Sequence, residues 1–413
     1  MLLAVLTNQQ RNQQNNRQIR MLSKTAIEPV IPTQRLEPLE DLACTVLESS
    51  ARLSAKIREP LHTDLAEITR WMHCYYSNLI EGQQTQVRDI EAALKKDFSA
   101  EPKKKNLQKL ALAHLSVQQW AQKSTDAPHS RDFICNLHRR FYEALPAEMR
   151  VATNVSGKEV PLVPGELRDN DVQVGTFVPP PHSIVPAMLG HFQDRYESPD
   201  LSRIRRIIAI GASHHRMAWI HPFRDGNGRV VRLFSDALIR QLGIDGGGLW
   251  SLSRGLAVFR KEYYARLSNA DQERSSSRAD DGRGHLSETA LWEFCEFILR
   301  TMVDQIAFME KVLDLNGLER RIEHYVKVVD PALEKQADRV FLLLREALLR
   351  GQFERGEASR IVGASTRTGQ SLLSLTIEAG LLSSPNHKAP VKLALPSKVL
   401  DTYFPKLFPV GQG

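Results

Sequence analysis

Residues 221–229 run His-Pro-Phe-Arg-Asp-Gly-Asn-Gly-Arg, and apolar residues recur at helical intervals on both sides of them. Upstream, Ile204, Ile207, Ile208, Ala212 and Met217 mark one face of a helix; downstream, Val230, Val231, Leu233, Phe234, Leu238 and Ile239 mark another, opening at about Gly228. The stretch therefore has to fold as helix, tight loop, helix. The loop has the composition of an anion site. Gly226 and Gly228 permit positive φ and a close approach of backbone to ligand. The first N–H groups of the second helix point into the loop, where the helix dipole favours negative charge. Arg229 and Arg232 are three apart, so both project from one face of that first turn, and guanidinium forks suit phosphate oxygens. Asn227 adds a side-chain donor. Asp225 is a hard oxygen ligand, suited to Mg²⁺ bridging phosphate oxygens. His221, just past a helix end, is of the type that titrates near neutral pH and serves as general base toward a hydroxyl.

These residues resemble the Fic family signature, His-x-Phe-x-(Asp/Glu)-Gly-Asn-Gly-Arg-x-x-Arg, which His221, Phe223, Asp225, Gly226, Asn227, Gly228, Arg229 and Arg232 match at every fixed position. The resemblance implies transfer of AMP from ATP to a Ser, Thr or Tyr hydroxyl of a target protein. It implies His221 as base, Asp225 as Mg²⁺ ligand, and Asn227 with the amides of the glycine loop as cradle for the α-phosphate. It also implies Arg229 and Arg232 on the β- and γ-phosphates, and Phe223 as an anchor of the loop in the core.

A second stripe, Leu65, Ile68, Trp71, Met72, Tyr75, Tyr76, Leu79 and Ile80, predicts a helix stopped by Gly82. Ser77 and Glu81 stand four apart near its end, on one face. Beside a Fic core, Ser77, Glu81 and Gly82 resemble the family's inhibitory motif, (Ser/Thr)-x-x-x-Glu-(Gly/Asn), in the subclass that carries it N-terminal to the core. The resemblance implies that Glu81 pairs with Arg232 and occupies the place of the γ-phosphate. It leaves open a role for Glu81 in guiding water to remove AMP from a modified target. Val172, Val174 and Phe177 alternate with polar or small residues before Pro179-Pro180-Pro181, which reads as a short hairpin. It resembles the family's flap, which holds the target segment by strand addition. Trp250 to Arg254 and Tyr263-Tyr264 resemble positions near the nucleotide's base, with Tyr264 the expected adenine neighbour.

The C-terminal third reads as a separate unit. The pattern weakens around Val326 to Lys335 and Pro331 interrupts it. A leucine-rich helix follows over Arg339 to Leu349, then a short helix over Glu357 to Val362, a turn at Gly363-Ala-Ser365 and a helix over Thr366 to Glu378. Apolar segments Leu381-Leu382 and Val391 to Leu395 flank Pro385-Asn-His-Lys388 as a hairpin. This is the order of a winged helix-turn-helix. Its basic excess allows contact with DNA phosphates; docking to protein and dimer formation are alternatives.

The expected architecture is mainly α: residues 1–34 as a tail, 35–125 as a helical region with the inhibitory helix, 126–325 as a Fic-type helical core with a small β-hairpin flap, and 326–413 as the winged helix. The Gln/Asn/Arg-rich Asn8 to Arg20 reads as disordered, and Met21 is an alternative start. Cys44, Cys74, Cys135 and Cys295 are dispersed, without metal-ligand spacing, which suits a reducing, cytoplasmic setting. No stretch has the length and apolarity of a signal peptide or membrane span. The net charge of +7 fits a nucleotide handler and an acidic partner equally. The expected activity is an autoinhibited protein adenylyltransferase that uses Mg·ATP, with self-modification and a homodimer as possibilities. The alternatives are a hydrolase that strips AMP from a protein, and a nucleotide-sensing regulator that binds DNA.

Overall fold

The computed structural model describes residues 25–57, 59–153, 157–175, 177–278 and 281–408. Asn8 to Arg20 and the alternative start at Met21 lie outside the described residues, as does Thr176 within the expected flap.

The elements run α1 (Glu37–Lys56), α2 (Leu61–Ile80), α3 (Val87–Leu94), α4 (Pro102–Lys123) and α5 (Arg131–Glu143), then β1 (Val151–Thr153) and β2 (Glu159–Pro161). There follow α6 (Val185–Tyr196), α7 (Arg203–Ile220), α8 (Asn227–Gln241), α9 (Leu252–Val258), α10 (Arg260–Ala270), α11 (Glu288–Val312) and α12 (Leu315–His324). The C-terminal segment holds α13 (Ala337–Arg350), β3 (Gln352–Phe353), α14 (Ala358–Ile361), α15 (Thr366–Glu378), β4 (Leu382–Ser383), β5 (Val391–Leu393) and α16 (Ser397–Tyr403). Among the described residues the fold is mainly helical with two small antiparallel sheets. Local sequence dictates many of the starts. Ser130, Ser202, Ser251, Ser287, Asp314 and Ser365 each accept a backbone N–H at the head of α5, α7, α9, α11, α12 and α15, satisfying one of the orphan donors there.

Helix α11 is the central post. It packs on α1, α7 and α9, and its Leu291, Phe294, Ile298, Met302 and Ile306 are fully buried. Helices α7 and α8 pack against one another, and their Ile210, Met217, Ile220 and Phe234 are fully buried. Helix α8 opens at Asn227, one residue earlier than its apolar stripe suggests, because Gly226 takes a left-handed backbone and serves as its cap. Helix α5 and helix α4 cover the other side of α8.

Helix α2 lies across this pair. It packs on α9, α4 and α8, and His73 on it reaches Asp236 of α8 at 3.1 Å. The C-terminal segment clamps its outer side. Lys392 of β5 donates to both oxygens of Asp64 at 2.8 Å, and the Tyr76 hydroxyl donates to the Leu407 carbonyl at 3.0 Å. Arg254 of α9 donates to the Lys406 carbonyl at 3.1 Å, and the Phe408 ring meets Tyr75 edge-on at 5.7 Å.

Two strand features were not legible in the sequence. Strands β1 and β2 pair antiparallel in the register Val151↔Pro161 and Thr153↔Glu159, and strand β3 adds to β5 with Phe353 opposite Val391. All are three residues or shorter, too short for an alternating pattern to stand out. The Gly351 that precedes β3 takes φ +83, which closes α13 and turns the chain into the sheet.

Candidate active site

Helix α7 stops at Ile220, and His221 adopts φ 49°, ψ 62°. Left-handed backbone is uncommon outside glycine, although histidine is among the residues enriched there. Neighbours over-determine it. The His221 N–H bonds the Met217 carbonyl at 3.2 Å, and Arg168, which is buried, donates from Nε to the His221 carbonyl at 2.8 Å. The same guanidinium donates to the carbonyls of Pro180 and Ile220, and the Arg168 N–H donates to the Pro222 carbonyl at 2.9 Å. Arg168 thus ties the end of α7 to the Pro179–Pro181 segment.

Phe223 anchors the loop. It is fully buried and its ring stacks on His138 of α5, with centroids 4.0 Å apart. Phe223→Ala is expected to cost about 3–5 kcal/mol of stability by leaving a cavity under the loop. Denaturant unfolding measures it, and a loss below about 1 kcal/mol would remove the anchoring role. The Asn227 amide spans the loop, accepting the Phe223 N–H at 2.9 Å and donating to the Phe223 carbonyl at 2.8 Å. Its side chain thus holds the loop shut. The first N–H groups of α8, at Asn227, Gly228 and Arg229, have no partner within the helix, and such an end suits an anion.

The half-buried His221 imidazole is neutral in the physiological range. Burial pushes its pKa down to about 4, against the opposing pull of a hydrogen bond with the Ala218 backbone. It is therefore already in the proton-accepting form, which a general base requires.

Asp225 projects from the loop, and the buried Tyr142 hydroxyl of α5 donates to its Oδ2 at 2.8 Å. Burial and the Asp225 carboxylate both push the Tyr142 phenol up, so it stays a donor. Among the described residues no three His, Cys, Asp or Glu side chains gather as a metal cage. One carboxylate oxygen beside a helix N-terminus instead fits a divalent ion that arrives on a nucleotide and takes most of its ligands from phosphates and water.

Arg229 and Arg232 are both buried. Arg229 lies over the Phe141 ring at 5.3 Å and donates to Gln83 Oε1 at 2.8 Å. Arg232 is held chiefly by Ser77 of α2 and by Glu81 at its C-cap, with Tyr263 of α10 also beside it. Its Nε donates to Ser77 Oγ at 2.9 Å, and its Nη2 donates to the Ser77 carbonyl at 3.1 Å and to Glu81 Oε1 at 2.6 Å. Burial alone would raise the Glu81 carboxyl, but Arg232, Arg229 and Arg260 outweigh it and hold it below its ordinary value, ionised. Glu81 also hangs over the start of α8: a Cβ at Gly228 would lie 2.4 Å from Glu81 Oε1, so glycine is what permits the approach. Gly82, at φ +75, ends α2 directly after it. The last turn of α2 is steadied by Arg260, whose Nη2 donates to the Ile80 carbonyl at 3.0 Å.

On the far side of His221, Val174 and Phe177 exchange backbone hydrogen bonds at 2.9 and 3.0 Å across a tight turn. Val172, Val174, Thr153 of β1, Val160 of β2, His221 and Arg224 line a hollow of about 430 Å³. Phe177 is partly buried and is not among its walls. Tyr264 is exposed and reaches the Ile80 carbonyl at 3.4 Å, while Tyr263 is buried against His214. Trp250 and Arg254 are engaged in packing: the indole N–H bonds the Ile244 carbonyl at 2.8 Å, and Arg254 stacks on Phe308 at 3.5 Å. The residues that sequence reasoning missed are Tyr142, Phe141, Gln83 and Arg260, together with the role of Arg168. None has a local pattern that marks it, because each acts only through a contact made by folding.

Residues 128–239 match the model of the Fic/DOC family. Over 177 residues the chain is 30% identical to a protein adenylyltransferase Fic of Nematostella vectensis, covering 42% of this chain and 38% of that one. A protein of the same name from Drosophila willistoni is 33% identical over 110 residues, 27% of this chain and 19% of the relative. The chain thus spans less than two fifths of either of these relatives. A Fic family protein from Desulfovibrio desulfuricans shares the fold with a TM-score of 0.52 at 16% identity, covering 88% of this chain and 98% of that one. No helix among the described residues is long and apolar enough to cross a membrane. The matched segment runs from α5 into α8, with His221 and Asp225 on the loop before α8 and Arg229 and Arg232 on α8 itself, and residues 128–239 are therefore a Fic/DOC family domain.

Proposed function

We propose that this protein is a protein adenylyltransferase held at low activity by its own Glu81. One juxtaposition carries the reading. A neutral imidazole, a carboxylate fit for Mg²⁺ and a helix N-terminus with two buried arginines share one loop, beside a hollow able to take a target segment.

In this reading a target segment lies along the Val172–Phe177 turn, its acceptor hydroxyl toward His221. The hydroxyl oxygen attacks the α-phosphorus of ATP, its proton passes to the His221 imidazole, and the bond from the α-phosphorus to the bridging β-oxygen breaks. Pyrophosphate leaves, its charge met by Arg229 and, once released from Glu81, by Arg232. The N–H groups of Asn227, Gly228 and Arg229 face the phosphate being transferred. Asp225 would hold a Mg²⁺ ion that neutralises phosphate charge. Arg168 keeps the base and the Pro179–Pro181 segment in one frame, so the incoming hydroxyl and the imidazole stay aligned.

The test is the origin of the transferred group. Glu81→Gly protein is incubated with Mg²⁺ and ATP labelled at either the α- or the γ-phosphorus, and label on protein is counted. AMP transfer retains the α-label and releases the γ-label as pyrophosphate. Retention of the γ-label would mean phosphoryl transfer and overturn the reading. Label on neither, with ATP bound, would favour a hydrolase or a nucleotide sensor.

A further inference from the structure

Asp225 is exposed, yet one of its oxygens is not free to choose its partner. Tyr142 stands at the C-terminal end of α5, with its ring buried against Phe141 and His138 at 5.3 and 4.7 Å between centroids. From that fixed position its hydroxyl reaches Asp225 Oδ2 at 2.8 Å. The loop is shaped for this contact. A Cβ at Gly226 would lie 2.7 Å from the Tyr142 hydroxyl, so a side chain there would push the phenol away. The preceding residue, Phe141, lies beneath the Arg229 guanidinium. One turn of α5 therefore braces both the carboxylate and an arginine of the loop.

We propose that Tyr142 is a positioning residue for the divalent ion: by holding Oδ2, its hydroxyl leaves Oδ1 as the oxygen offered to the metal that arrives with the nucleotide. This rests on the reading of Asp225 as the metal ligand. A carboxylate alone on a loop spreads over several rotamers, and metal binding must then select one; a fixed partner removes that cost. Glycine at position 226 and tyrosine at position 142 form one device, since the first makes room for the second. Groups that orient a ligand in this way are worth about 10–100-fold in metal affinity.

The experiment separates metal from nucleotide. The background is Glu81→Gly with His221→Ala, so that ATP is held without turnover, and calorimetry gives the ATP affinity with Mn²⁺ and without metal. Tyr142→Phe keeps the ring and the packing. The expected result is that the gain in ATP affinity due to Mn²⁺ shrinks about tenfold or more, while metal-free affinity changes less than twofold. Equal losses with and without metal would show a general distortion of the loop and overturn the proposal. Asp225→Ala is the parallel arm. If it abolishes the metal gain while Tyr142→Phe leaves it intact, the positioning role is wrong and the ligand reading stands. If Asp225→Ala also leaves the gain intact, the ligand reading falls and takes this proposal with it. A second readout is the Mg²⁺ dependence of transfer in Glu81→Gly alone, where Tyr142→Phe raises the half-saturating Mg²⁺ and leaves the rate at saturating Mg²⁺ within about threefold, as loss of ligand orientation alone requires.

Discussion

Glu81→Gly raises AMP transfer onto the chain itself by an expected ten- to a hundredfold. The magnitude follows from what Arg232 must give up. Its Nη2 is 2.6 Å from Glu81 Oε1, and its side chain is 3% exposed, whereas that of Glu81 is 31% exposed. A charge-assisted hydrogen bond of this kind is worth about 1.5–3 kcal/mol net, and each 1.4 kcal/mol is a factor of ten. A γ-phosphate competing for Arg232 has to break that bond and bring its own negative charge near an ionised carboxylate. Removing Glu81 lifts both penalties. Arg232 keeps its two bonds to Ser77, so the guanidinium stays on the same side of the site. The position also tolerates glycine, since Glu81 is the C-cap residue of α2 rather than an interior one. Counting α-labelled AMP on the protein with time measures the effect. A change of less than twofold would sink the claim that Glu81 restrains the site, even if transfer itself were observed.

The part of this site that the sequence displays is the part built from neighbours in the chain. His221, Asp225, Gly226, Gly228, Arg229 and Arg232 fall within twelve residues, so the helix–loop–helix brings them together without help from the rest of the fold. Glu81 was legible for a different reason: its spacing from Ser77 says little alone, but Ser77, Glu81 and Gly82 resemble the family's inhibitory motif, and Ser77 and Glu81 both meet Arg232. The helical stripes were equally readable. The stripe ending at Ile80, the one from Ile204 and the one from Thr366 correspond to α2, α7 and α15, because burial on one face imposes a period near 3.6. What sequence reasoning lacked is long-range. Tyr142 lies 83 residues before Asp225, and Gln83 lies 146 before Arg229. No periodicity predicts that an aromatic at the end of α5 will face a carboxylate. Asn227 shows the converse. Its residue type suggested a donor to phosphate, and the contacts it makes within the loop are with both backbone groups of Phe223, its oxygen accepting and one of its two N–H groups donating. The short loop has polar groups of its own to satisfy, and the nearest side chain satisfies them first. The β1–β2 hairpin was missed because three residues per strand leave no alternation to detect.

His221→Ala in the Glu81→Gly background lowers transfer by an expected hundredfold or more, the contribution typical of a positioned general base. Nucleotide binding is the control, since in the proposed mode the groups that would face the phosphates are the amides of α8 and the two arginines rather than the imidazole. Unchanged ATP affinity with lost transfer places the defect in chemistry; loss of both would mean that His221 shapes the loop instead. That second outcome has a physical basis, because the residue holds a left-handed backbone between α7 and the loop, so His221→Asn, which tolerates that conformation, belongs beside the alanine variant. The pH profile separates the roles further. Burial holds the imidazole at about 4, below its ordinary value, so the proton-accepting form persists as pH falls until that value is reached. In Glu81→Gly the carboxylate that opposes this depression is gone, which moves the limb lower still. The rate per unit of free substrate and enzyme, kcat/KM for the target, is therefore expected to stay flat from pH 8 to about 5, wherever the chain remains folded. An ordinary exposed histidine would halve it near 6.5. An acid limb at 6.5 would show that the base is solvated when the target arrives, and that the hollow beside His221 opens to water before the acceptor hydroxyl is in place.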